Sequence, residues 1–172
     1  MKHGANSESA NNYGLTPLQT AASNDQVEVV RELLKHGANL ESANIDGWTP
    51  LYTAASNGHV EVVCELLKHG AKLESVNKNG WTPLYTAAEN GPIEIVRELL
   101  KHGANLESAN NKGWTPLNSA AEKGDVEVVR ELLKHGANVD RANNDGWKPL
   151  YTAAKTGHVD VVRDLRKHGA SE

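Results

Sequence analysis

The sequence predicts an α solenoid, a row of stacked helix–turn–helix units forming one domain over residues 1–172. Two periodic signals carry that reading. Thr-Pro or Lys-Pro pairs begin at Thr16, Thr49, Thr82, Thr115 and Lys148, 33 residues apart each time. A Lys-His-Gly-Ala block begins at Lys2, Lys35, Lys68, Lys101, Lys134 and Lys167 in the same 33-residue step. A third observation sets the class: the apolar stripes between these marks have helical spacing but are too short to form stable helices alone in water. Units of this length bury their apolar faces against their neighbours, so the core runs along the array. The units span residues 11–43, 44–76, 77–109, 110–142 and 143–172.

The elements of one unit follow in order along residues 44–76. Asp46-Gly47 predicts a tight turn, because glycine tolerates positive φ. Thr49 is placed to cap a helix whose first position is Pro50, where the missing N–H costs nothing. Leu51, Ala54 and Ala55 give that helix an apolar stripe, and the small alanines let successive first helices approach closely. Gly58 ends it. Val60, Val62, Val63, Leu66 and Leu67 form the stripe of a second helix, with Glu61, Glu65 and Lys68 pointing away. Gly70 stops the second helix.

The 33-residue period, the T-P-L block after a glycine, the A-A pair, G-H-x-E-V-V and L-L-x-x-G-A together resemble ankyrin repeats over essentially the whole chain. The resemblance implies an ankyrin-repeat stack with β-hairpin fingers near a right angle to the helices, fingers and first helices forming a concave face. The family usually places His after T-P-L, where this chain has Gln19, Tyr52, Tyr85, Asn118 and Tyr151. Asp25 stands where other units have glycine, predicting a mildly strained left-handed residue. Lys148 replaces the capping threonine of the fifth repeat, at a cost of about 1 kcal/mol. Arg166 replaces the second leucine of Leu-Leu, which suits a C-terminal cap that no further repeat covers. Residues 1–10 match the end of a repeat and are expected to be the tail of a preceding one, or a minimal finger. Near-identical units arise by duplication or by design, and drift at Asp25, Pro92 and Arg166 favours a natural source.

Composition narrows the partners. Lys and Arg number 18 against 22 Asp and Glu, a net charge of -4 that gives no reason to expect nucleic acid or an anionic membrane. No apolar run approaches membrane-spanning length, and the N-terminus lacks the apolar core of a signal peptide. One cysteine, Cys64, cannot staple the chain, which points to a reducing, intracellular and cytoplasmic setting and a monomer. Cys64 has no base suggested beside it, and no phosphate-binding or metal-spaced pattern is present. No catalytic residue, no metal site and no cofactor is therefore expected. His3, His36, His69, His102, His135 and His168 lie at helix C-termini. Stacked helices are about 8–10 Å apart, too far for equivalent histidines to share a metal ion, so these are read as dipole partners. His59 and His158 are read as local structural contacts. The acidic and basic residues of Glu28, Arg31, Glu32, Lys35 and their equivalents predict neighbouring pairs on a solvated outer helix.

The resemblance implies that target contacts come from the finger tips and first-helix ends. Charges there balance: Lys78, Lys112, Lys123 and Lys155 against Asp46, Glu89, Glu122 and Asp145. A neutral, amide-rich and aromatic face suits protein or peptide rather than nucleic acid. The expected partner-binding residues are Tyr13 in the first repeat and Ile45, Trp48 and Tyr52 in the second. The third contributes Lys78, Trp81, Tyr85 and Glu89; the fourth Lys112, Trp114 and Lys123; the fifth Trp147 and Tyr151. The tryptophans occupy one equivalent position. If exposed, they form a ladder whose rungs, about 8–10 Å apart, match one turn of a polyproline-II peptide at about 3.1 Å per residue. The alternative is that each packs on the neighbouring finger and covers the stack. The expected function is non-catalytic protein interaction on the concave face. Two alternatives stand beside it: a spacer or engineered scaffold with no target of its own, and carbohydrate binding through exposed Trp.

Overall fold

The computed structural model describes residues 9–171. Its ten helices, among the described residues, alternate between two rows. The inner row is α1 (Pro17–Ser23), α3 (Pro50–Asn57), α5 (Pro83–Asn90), α7 (Pro116–Lys123) and α9 (Pro149–Thr156). The outer row is α2 (Val27–Lys35), α4 (Val60–Lys68), α6 (Ile93–Lys101), α8 (Val126–Lys134) and α10 (Val159–Lys167). Inner helices stack more intimately on one another than outer helices do. The fully buried alanine pairs Ala54–Ala55, Ala87–Ala88 and Ala120–Ala121 explain this, since methyl groups allow the closest backbone approach.

Local chemistry sets each start and stop. The hydroxyls of Thr16, Thr49, Thr82 and Thr115 accept from backbone N–H groups three residues on, at 3.3, 3.2, 3.1 and 3.2 Å. Lys148 makes no such cap; its ammonium instead donates to Ser171 Oγ at 2.6 Å and lies 3.9 Å from Asp140. Asp25 takes the expected left-handed backbone, φ 55°. Gly91 departs from its equivalents and is extended, φ -88° and ψ 159°, because Pro92 follows it and disfavours other conformations.

The fingers are tight turns, and no strand is assigned in them among the described residues. In each, one asparagine amide oxygen organises the loop. Asn77 Oδ1 accepts from the N–H groups of Asn79 (2.9 Å) and Trp81 (3.0 Å), and Asn44, Asn110 and Asn143 repeat the pattern. A single backbone bond ties each tip to the one before, as from Lys78 N–H to the Asp46 carbonyl (3.0 Å). One bond per finger is too few for a ladder. At Gly80, φ is +78° and an added Cβ would lie 2.9 Å from the Asn111 nitrogen, so the turn needs glycine for conformation and for room.

The outer row holds a second correction. Glu65, Glu131 and Asp164 are buried, not solvated. Each accepts from an arginine of the preceding repeat: Arg31 to Glu65 at 3.1 Å, Arg97 to Glu131 at 3.2 Å and Arg130 to Asp164 at 2.6 Å. The expected pairs along the helix exist as well, such as Lys35–Glu32 (3.2 Å) and Lys101–Glu98 (3.2 Å). Cys64 occupies the arginine position of the second repeat, and its would-be partner Glu98 is correspondingly more exposed. His69, His102, His135 and His168 each close a helix end, Nδ1–H donating to the carbonyl four residues back at 2.8–2.9 Å. His36 instead meets the Glu32 carboxylate at 3.1 Å, and His3 lies outside the described residues. His59 and His158 are not local contacts: their Nε2–H groups donate to the Ser23 and Glu122 carbonyls of the preceding repeat, at 3.0 and 2.9 Å.

In the fifth repeat Arg166 is exposed, where Leu67, Leu100 and Leu133 are buried. Tyr151 and Val159 are exposed as well.

Candidate functional site

The side chain after T-P-L faces the next finger, and this decides what each tryptophan does. Tyr52 and Tyr85 are 2% and 6% exposed. The Asn77 amide donates to the Tyr52 hydroxyl at 3.3 Å. Burial pushes the Tyr52 phenol up, and that of Tyr85 up to about 12. Gln19 uses its amide in the same way, donating to the Trp48 carbonyl, and Asn118 reaches the carbonyls of Arg141 and Trp147 at 3.4 Å. Tyr151, in the fifth repeat, is 51% exposed.

Three of the tryptophans pack on the tyrosine of their own repeat. Ring centroids are 5.6 Å apart for Trp48–Tyr52, 5.5 Å for Trp81–Tyr85 and 5.4 Å for Trp147–Tyr151. Trp114 finds Asn118 beneath it and turns edge-on to Trp147 at 6.5 Å, 73° between planes. Trp147 also carries Lys155, whose ammonium lies 3.8 Å from the ring centroid, a cation–π contact.

The irregularity at Trp114 coincides with a cleft of about 370 Å³ between the third and fourth fingers. Asn79, Trp81, Tyr85, Asn110, Asn111, Lys112, Trp114 and Glu122 line it. Of the sequence-predicted residues, Trp81, Tyr85, Lys112 and Trp114 come together here. Tyr13, Ile45 and Trp48 are exposed on the earlier fingers, outside the cleft. Lys78 pairs with Asp46 (3.9 Å) and Lys123 with Glu89 (3.6 Å), so these expected contacts already serve the stack. Tyr151 belongs to a separate apolar hollow of about 230 Å³ on the C-terminal face, with Leu150, Ala154 and Arg166. Asn79, Asn111 and Glu122 lie at the finger tips and first-helix end where contacts were expected, whereas Asn110 was not among the expected residues. The recurrence of asparagine four residues before each tryptophan was the available signal for Asn110, and through it for the shape of the finger.

Among the described residues no group of three metal-ligating side chains converges, and no helix is long and apolar enough to cross a membrane. Burial raises the Cys64 thiol, with Glu98 adding to the effect. That is the opposite of what a nucleophile needs.

Paired helices in two rows, joined by turns, define a helical-repeat solenoid. The family pattern described as ankyrin repeats (3 copies) matches residues 1–77, 39–110, 70–143 and 106–172, and the chain belongs to the ankyrin-repeat family. Ankyrin repeats are in general non-catalytic protein-interaction modules. No curated protein gives a significant match to the sequence.

Proposed function

We propose that this chain binds a segment of another protein along its finger side, seated in the cleft between the third and fourth fingers. It acts as a monomer inside the cell, where its half-buried thiol stays reduced. The observation that carries this is the cleft: two indole rings, amides and two charged side chains around one concavity. Aromatic walls with a polar rim are the composition of protein-recognition surfaces. The asparagine-locked turns hold the rings in place before a partner arrives, which lowers the ordering cost of binding.

A random peptide library displayed on phage and selected against the chain tests this. Selected peptides are expected to protect amides of residues 79–85 and 110–122 from hydrogen exchange. Protection confined to the outer helices, or no selection above background, would overturn the proposal and leave a spacer as the better reading. Asn79→Ala and Glu122→Ala alter exposed rim side chains and are expected to weaken binding with the circular dichroism unchanged.

A further inference from the structure

We infer that the cleft takes a proline-containing peptide with an acidic residue at its finger end and a basic residue at its helix end. This rests on the reading of the finger side as the binding face. At two places on the finger side, charge is paired between neighbouring repeats. Lys78 of the third finger faces Asp46 of the second, and Lys123 at the end of α7 faces Glu89 of α5. The fifth repeat reproduces neither pair. Asn144 stands in the Lys78 position opposite Lys112, and Thr156 stands in the Lys123 position opposite Glu122. Lys112 and Glu122 are thus exposed on the rim of one cleft, and neither has an ion-pair partner among the described residues. Asp145, at the fifth finger tip, lies outside the cleft.

The rest of the cleft fits the backbone between those charges. A polyproline-II segment has no internal hydrogen bonds, so its carbonyls need donors, and its rings need flat apolar surfaces. Trp81 and Trp114 supply both, because their indole N–H groups have no acceptor among the described residues. The Asn79 side-chain amide is a further donor on the same wall. From Pro116 to Glu122 the helix rises about 9 Å, the length of a polyproline-II segment of three residues, and Lys112 lies beyond Pro116 on the finger. The acid and the base are therefore at least three residues apart, with prolines between.

Intrinsic tryptophan fluorescence at low salt, titrated with a synthetic Glu-Pro-Pro-Pro-Lys peptide capped at both ends, tests the inference. Replacing either charged residue of the peptide by glutamine is expected to weaken binding by about two- to fivefold, the range for exposed ion pairs. The Lys112→Glu/Glu122→Lys double variant is expected to prefer the peptide of reversed charge order. Both positions are exposed, and circular dichroism checks that the fold is kept. Equal binding of charged and neutral peptides overturns the inference, as does a double variant that keeps the original preference. If none of these peptides binds at millimolar concentration while library-selected peptides protect the cleft, the inference fails and the proposed binding face stands.

Discussion

At position 118 an amide stands where Tyr52 and Tyr85 place a ring, and two neighbours register the loss. Trp114 has no tyrosine to pack on, and the buried Asn143 side-chain nitrogen has no hydrogen-bond partner, although its equivalent in Asn77 donates to Tyr52. Asn118→Tyr restores both an aromatic contact and an acceptor, in surroundings that the third repeat already accommodates. A gain of about 1 kcal/mol is expected in urea unfolding, after loss of the weak Asn118 contacts to the next finger. No gain, or a loss, would mean that the site has relaxed around the amide. Cys64 offers a parallel case. Cys64→Arg supplies the missing bridge to Glu98 and is expected to add up to about 1 kcal/mol, shrinking at high salt because the pair lies near the surface. A gain independent of salt would point to packing instead of charge.

At the scale of elements, the fifth repeat tests what a cap contributes. Inner helix α9 is the one whose N-cap side chain makes no capping bond to the backbone. Native-state hydrogen exchange is expected to show residues 149–167 opening more readily than the second to fourth repeats, as terminal units do in such arrays. Lys148→Thr is expected to narrow that difference by up to about 1 kcal/mol. Equal protection in all repeats would show the missing cap to be unimportant. These elements were legible in the sequence because their signals are local: Thr-Pro starts, glycine or Asp25 stops, and stripes at helical spacing. The seams were not. Arg31 and Glu65 are 34 residues apart, and no pattern within a helix reveals that the carboxylate is buried between repeats. The burial of Tyr52 and Tyr85 was hidden for the same reason, since the surface that covers them comes from the next finger. Trp81 and Trp114 were singled out as candidate contacts, but the cleft they line is formed by side chains of two fingers and appears only once the rings are placed.

Over the whole molecule, buried or bonded carboxylates join each repeat to the next, and this sets the response to acid. The Arg31 hydrogen bond holds Glu65 below the usual carboxylate range, and Lys35 with His36 does the same for Glu32. Burial opposes ionisation of Glu131, but Arg97 and Lys134 outweigh it; the Ser171 N–H lowers Asp140. Folded values below unfolded ones mean that the unfolded chain takes up protons first. The stabilisation is full above about pH 4.5 and is lost as pH falls through the lower folded values. The melting temperature is therefore expected to be level from pH 7 to about 5 and to drop below that. A level profile down to pH 3 would show that the seams carry little of the stability. The central claim concerns the fingers, and the indole N–H signals of Trp48, Trp81, Trp114 and Trp147 report on it separately in a nitrogen–proton correlation spectrum. Titration with a library-selected peptide is predicted to shift Trp81 and Trp114 first and furthest, with Trp48 least affected. Shifts confined to Trp48, or equal shifts at all four, would contradict a binding seat between the third and fourth fingers.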